Sequence, residues 1–359
     1  MVAMRLLYVL YALRGGSAMS IDFKVKTVSA RFLDPSNGFP EKNVDLEYRT
    51  DPLTGDFGLV RDLRFTIPHK PDLAPLIEKS RQNCPFCPGR VEEITPRFIP
   101  AFRKEGHIKI GDATVFPNLF PTTEYGAVTV ISRQHHVPLS EFTTPLLTDA
   151  FLASREYLKT VAAYDRRARY CGVMWNYFPP ANSSQVHPHL QPFAGPFPLS
   201  YHKNLLAGSK RYLRKKGANF WQELIQDEKK RGTRYMGEIG RTAWLASFVP
   251  RSFQMDVRAV FQKRNSIVSL TDDDLRDMAE GLTRVFKYMD DQNYYSFNLF
   301  LYSGLPGDDS FWTQARIIQR GPLPFVEISD GSNATLLGDT HMTIRSPEYI
   351  CEALRPYFS

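Results

Sequence analysis

His187-Pro188-His189-Leu190-Gln191 places two imidazoles and an amide at alternate positions. Side chains of an extended chain alternate between faces, so His187, His189 and Gln191 share one face while Pro188 and Leu190 point into packing. Proline has no N–H to give to a ladder, which suits the first residues of a strand or an edge. The loop just before it, with Asn182, Ser183 and Ser184, can bring hydroxyl and backbone N–H donors to a phosphate. A neutral imidazole is a nucleophile toward phosphorus and forms a phosphoramidate. That chemistry needs one ring nitrogen free and the other donating a hydrogen bond that fixes the tautomer. It also needs donors at the non-bridging oxygens, where charge must be stabilised. Gln191 can donate without titrating. A histidine in its place would deliver a proton and help water in, so a glutamine favours transfer over hydrolysis.

Cys84 and Cys87 form a C-x-x-C in a knuckle punctuated by Pro85, Pro88 and Gly89. The pair offers two thiolates to one tetrahedral zinc, and the other two ligands must come from far along the chain. His135 or His136, together with His187, are the candidates. A metal beside the strand of His189 would help orient it. A redox C-x-x-C is the alternative reading, but the surrounding residues are not thioredoxin-like. Cys171 and Cys351 stand alone and read as small buried hydrophobes. Four cysteines in 359 residues make no disulfide framework, so the compartment reads as reducing and cytoplasmic.

The elements that must position these residues follow from periodicity and punctuation. Residues 49–60 read as a turn leading into a strand, 113–121 as a strand ending in a turn, and 127–134 and 171–178 as strands. A helical pattern starts at Thr144-Pro145, and 186–193 reads as extended. The order recurs downstream. Residues 255–291 give strand, turn and helix, with Thr271 and Asp272 as capping candidates, 295–304 parallels 171–178, and Gln314 aligns on His187. A duplicated module follows, with residues 20–200 and 241–359 as its two copies and a basic linker over 201–240. Residues 1–19 contain a short apolar run after Arg5 and read as a dispensable leader or an early start, with Met19 as a second one.

Taken together, Asn176, Ser184, the HPHLQ segment, Cys84 and Cys87 and the duplication resemble the galactose-1-phosphate uridylyltransferase family. This family belongs to the histidine-triad superfamily, whose members include ADP-sugar and dinucleoside polyphosphate phosphorylases. The resemblance runs from about Arg49 to about Gly321. It implies an α+β, HIT-like fold with two copies of an antiparallel sheet and a packed helix. It implies that His189 attacks the α-phosphate of a nucleotide sugar, and that the nucleotidyl-histidine is then taken by a sugar phosphate or by phosphate. It also implies a zinc site of Cys84, Cys87, His135 and His187. Gln191 would bind the transferred phosphate, Asn176 and Ser184 the nucleotide and its phosphates, Asn118 the nucleotide, and Arg64 a phosphate. Dimers are common in the family, so a homodimer is a further expectation. Two features depart from some members. Leu190 stands where they have glycine, and Gln314-Ala315-Arg316 stands where their second module has H-x-H, so an additional iron site is not expected.

The composition is compatible with this reading. With 43% hydrophobic and 23% charged residues there is material for a core of this size. The net charge of +7 suits an anionic ligand. It leaves a rival reading as a nucleic-acid-binding protein using the basic 209–216 segment, which the intact HPHLQ argues against. No segment reads as transmembrane, and neither nucleic acid nor membrane is expected as a partner.

Overall fold

The computed structural model describes residues 20–36, 38–63, 70–321 and 329–359. The leader over 1–19 and Arg64 lie outside the described residues. Among the described residues the first elements are β1 (Lys24–Leu33), β2 (Glu41–Thr50) and β3 (Phe57–Val60), followed by the short helices α1 (Ala74–Arg81) and α2 (Arg90–Ile94). The first half then runs β4 (Ile108–Ile110), β5 (Ala113–Pro117), β6 (Tyr125–Val130), α3 (Thr144–Tyr164), β7 (Tyr170–Tyr177) and β8 (His189–Gly195). Two helices intervene, α4 (Ser200–Lys216) and α5 (Phe220–Arg231). The second half repeats the order as β9 (Tyr235–Ile239), β10 (Thr242–Ala246), β11 (Asp256–Phe261), α6 (Asp272–Asp291), β12 (Phe297–Tyr302) and β13 (Gln314–Gln319). The chain closes with α7 (Asn333–Leu336), β14 (His341–Thr343) and α8 (Pro347–Leu354).

The two halves share one antiparallel sheet, ordered β4-β5-β6-β8-β7-β12-β13-β11-β10-β9. They join where β7 pairs with β12, with Asn176 opposite Asn298. A smaller sheet, β1-β2-β3-β14, ties the N-terminal residues to the C-terminal ones. Both long helices lie on the same face of the large sheet. α3 starts at Thr143, whose side chain accepts from Leu146 N. It buries Leu147, Ala150, Phe151, Leu158 and Val161, a helical stripe facing the strands. α6 starts with a capping box in which Thr271 and Asp274 satisfy each other's backbone N–H groups. Asp274 is thus the capping partner of Thr271, in place of Asp272. α6 can sit down on β10 because position 281 is glycine, where a Cβ would lie 2.1 Å from the Trp244 ring.

Two sequence expectations change. The basic stretch 201–240 is packed structure. α4 and α5 cover the other face of the second half, burying Leu205, Leu206, Phe220, Trp221 and Ile225 against Leu245, Val260 and Phe311. Their apolar stripe takes them into the body, and β9 is already under way before residue 241. The alignment of Gln314 on His187 is two residues out. β8 begins at His189 and β13 at Gln314, and their ladders with β6 and β11 end there, opposite Val130 and Val260, so Gln314 holds the place of His189 and Arg316 that of Gln191. Among the described residues no helix is long and apolar enough to cross a membrane.

Candidate active site and metal cluster

β6, β8 and β7 lie side by side in the first half, with Val130 opposite His189 and Trp175 opposite Leu190. Leu190 and Trp175 are fully buried on the helix-covered face. His189 and Gln191 therefore look out of the opposite face, the one that α4 and α5 cover only in the second half. In the same register Asn176 stands beside His189, about 5 Å away across the strands. Met174 is the partner of Gln191. Asn118 follows β5 on this same face. Its N–H donates to Gly126, whose strand partner Phe193 lies four residues along β8 from His189, about 14 Å away. The Asn118 Oδ1 accepts from Phe120 N and closes the turn.

His189 is buried, and its Nδ1 lies 2.9 Å from the carbonyl oxygen of His187. A carbonyl can only accept, so Nδ1 carries the proton and the lone pair sits on Nε2. Burial also pushes the ring's pKa down, which keeps the imidazole neutral. The edge of Phe86 packs on the ring at 5.2 Å between centroids.

His187 precedes the strand and turns toward the knuckle. Its Nε2 donates to the Ser132 carbonyl at 2.7 Å, so Nδ1 is the unprotonated nitrogen, 3.5 Å from Cys84 Sγ and 3.8 Å from Cys87 Sγ. His135 repeats the arrangement, with Nε2 on the Ser80 hydroxyl at 2.8 Å and Nδ1 3.5 Å from Cys87 Sγ. The four ligand atoms all lie within 4.8 Å of one another. These separations are too long for good hydrogen bonds but match the edges of a tetrahedron with metal–sulfur bonds of about 2.3 Å and metal–nitrogen bonds of about 2.0 Å. Burial pushes the Cys84 thiol up to about 11, so a thiolate there calls for a cation. Burial holds His187 down at about 4, the neutral form that ligates. The cluster can therefore hold a metal ion. His136 faces elsewhere, against Tyr177 and Phe178.

The loop between Asn176 and His189 is bent by two non-glycine residues with positive φ, Phe178 at 69° and Asn182 at 65°. Such conformations cost on the order of 1–3 kcal/mol each and persist only where packing imposes them. Here Phe178 is held by the ring of Tyr177 at 4.9 Å. Ser183 Oγ donates to the Gln185 carbonyl, while Ser184 stands exposed on the loop. Arg316, in the second half, is committed to Asp256 through Nε at 2.9 Å and Nη2 at 2.6 Å, which leaves it a structural cation. The sequence reasoning missed Asn298, whose Nδ2 donates to Asn176 Oδ1 at 2.7 Å. Only the pairing of β7 with β12 reveals it. The face thus gathers a nucleophilic nitrogen and amide donors in front of a cluster able to hold a metal.

No protein-family model matches the chain. Over 340 residues it is 30% identical to an uncharacterised protein of Archaeoglobus fulgidus, spanning 94% of this chain and 99% of that one. Among solved structures, an Arabidopsis thaliana ADP-glucose phosphorylase with bound ADP-glucose matches with a TM-score of 0.68 at 16% identity, over 86% of this chain and 98% of that one. A GalT-like protein from the same plant matches with a TM-score of 0.67 at 18% identity, with the same coverage. A uridylyltransferase matches with a TM-score of 0.64 at 18% identity, over 87% of this chain and 98% of that one. At such identities the common property is the fold. The chain therefore belongs to one family with the Archaeoglobus protein, built on the HIT-like fold of the galactose-1-phosphate uridylyltransferases.

Proposed function

We propose that the protein is a nucleotidyltransferase that moves a nucleoside monophosphate, UMP before AMP, from a nucleotide sugar to a hexose 1-phosphate through His189. The observation that carries this reading is the Nδ1–H bond to the His187 carbonyl, which leaves Nε2 as a neutral nucleophile on a face furnished with amides. The Nε2 lone pair attacks the α-phosphorus, a P–N bond forms, and the bond to the bridging oxygen breaks. The sugar 1-phosphate leaves with that electron pair. An oxygen of the incoming phosphate then attacks the same phosphorus, and the P–N bond returns its electrons to Nε2. The ring keeps its Nδ1 proton throughout, so no proton need leave the site. Gln191, Asn176 and Ser184 donate to the non-bridging oxygens. Asn118 sits at a distance suited to the nucleoside, and Arg64 is assigned to a phosphate. Cys84, Cys87, His135 and His187 would hold zinc, whose contribution is a structural crosslink that fixes the knuckle and the His187 backbone behind His189.

A second reading, phosphorolysis of a nucleotide sugar, uses the same first step with inorganic phosphate as acceptor. A fold neighbour that binds ADP-glucose supports keeping it. The test is intact-protein mass after mixing the purified protein with UDP-glucose, ADP-glucose or diadenosine tetraphosphate, each without acceptor. A gain of one UMP or one AMP that is absent in His189→Ala is expected and names the base. Normal turnover in His189→Ala would overturn the mechanism. Release of the nucleotide by glucose 1-phosphate or galactose 1-phosphate rather than by inorganic phosphate separates transferase from phosphorylase.

A further inference from the structure

Asn298 links the second half of the molecule to the site. Its Nδ2 donates to Asn176 Oδ1 at 2.7 Å and to the Ala181 carbonyl at 2.9 Å. Its Oδ1 accepts from Arg320 Nη1 at 2.6 Å. Arg320 is gripped in turn by Asp330, through Nε at 2.6 Å and Nη2 at 2.8 Å. The two ends of an asparagine amide have nearly the same shape, so its orientation is set by its neighbours. A guanidinium can only donate, so the Asn298 atom facing Arg320 must be the oxygen. The Ala181 carbonyl can only accept, so the atom facing it must be the nitrogen. With both ends of Asn298 fixed, the Asn176 atom that meets its N–H must be oxygen. The Asn176 Nδ2 is then turned the other way, and it meets no acceptor among the described residues. Asn176 stands next to His189 on the same sheet face.

We propose that Asn298 is a positioning residue. It passes hydrogen-bond polarity from Asp330 and Arg320 to Asn176, so that Asn176 presents N–H, and not C=O, to the phosphate held at His189. The inference rests on the nucleotidyl-histidine reading given above. A flipped Asn176 would set a carbonyl oxygen against a phosphoryl oxygen, replacing a donor by a repulsion. Loss of one such donor slows comparable reactions by roughly 10²–10³-fold.

The experiment is a double-mutant cycle on the rate of adduct formation, read by intact mass with the donor that labels the wild type. The variants are Asn298→Asp, Asn176→Ala and the two combined, each checked for Tm and metal content. An aspartate at 298 can still accept from Arg320 but has no N–H for Asn176, which must flip to meet it. Asn298→Asp should slow adduct formation by about 10²–10³-fold. In the Asn176→Ala background it should cost nothing further. If it slows the Asn176→Ala chain as much as it slows the wild type, the effect does not pass through Asn176 and the relay is wrong. Where Asn298→Asp folds too poorly to assay, Asn298→Leu keeps the shape without the polarity. A several-fold slowing that vanishes in the Asn176→Ala background is then expected, and equal slowing in both backgrounds overturns the relay. If the wild type forms no adduct at all, it is the nucleotidyl-histidine reading that fails. The relay is then judged by ADP affinity in calorimetry, which should fall further in Asn298→Asp than in Asn298→Ala, while equal affinities would overturn it.

Discussion

His135 and His136 are neighbours in the chain, yet only one of the two rings turns toward the thiols. His135 Nδ1 faces Cys87 Sγ while its Nε2 is tied to Ser80, and His136 lies against Tyr177 and Phe178. His135→Ala and His187→Ala should therefore lose bound metal, while His136→Ala should keep it. Metal analysis of the purified variants decides this, and full occupancy in His187→Ala would remove that residue from the ligand set. Alternation places His189 and Gln191 on one face and Leu190 on the other, but it also puts His187 with them as part of the strand, whereas β8 begins only at His189 and His187 is turned to the thiols by its bond to the Ser132 carbonyl. Spacing alone could not separate His135 from His136, since both stand in a loop where side-chain direction is set by tertiary contacts. Asn298 was illegible for a stronger reason. Its partner Asn176 is 122 residues away, and their bond exists only because two strands from different halves pair.

At the scale of elements, helices and strands with caps and clear periodicity were readable, α3, β7 and α6 above all. The sequence of α4 and α5 reads as a basic linker with a solvated helix in its middle, because the charges are conspicuous and the buried stripe is short. The register of the second half was read two residues out because Gln314-Ala315-Arg316 keeps the alternation of HPHLQ without its chemistry. Its structural role is nonetheless specific. Arg316, only 4% exposed in its side chain, is neutralised by Asp256, which has no exposed side-chain surface at all. Removing one partner of a buried pair leaves a charge that nothing compensates. Asp256→Asn should thus lower stability by about 3–5 kcal/mol, measured as a shift in the chemical denaturation midpoint. The half that carries His189 should feel it only through global unfolding, so the adduct formation proposed for His189 should be near normal below the new Tm. Arg316 also donates to the Tyr201 hydroxyl at 2.6 Å and to the Val249 carbonyl at 2.9 Å, and a variant as stable as the wild type would show that these two hold it without the aspartate.

The whole molecule is closed by an ion network that joins its two ends. Arg49 on β2 grips Glu348 on α8 with two hydrogen bonds, of 3.0 and 2.9 Å. Arg234, just before β9, donates to the same carboxylate at 2.7 Å and to Glu228 on α5 at 2.9 Å. Both arginine side chains are at most 7% exposed, whereas Glu348 is 33% exposed. Glu348→Ala would leave Arg49 with Glu47 and Arg234 with Glu228 as remaining carboxylate partners. With those partners kept and Glu348 itself partly exposed, the expected cost is that of charge-assisted hydrogen bonds, about 1.5–3 kcal/mol. Burial acts to raise the Glu348 carboxyl, but Arg49 and Arg234 together outweigh it and hold the group below the usual carboxylate range. A carboxylate whose folded value is depressed contributes stability that is fully present above its unfolded value, about 4.3, and that is lost as pH falls through the folded one. Glu228 moves the other way, raised by burial, so the acid response of the intact protein mixes the two. Comparing variants isolates Glu348. The gap in unfolding free energy between the wild type and Glu348→Ala should be widest at neutral pH and shrink steadily below about pH 4. Urea titrations at several pH values measure that gap, and one that stays constant down to pH 3 would mean the carboxylate's charge is not what holds the two ends together.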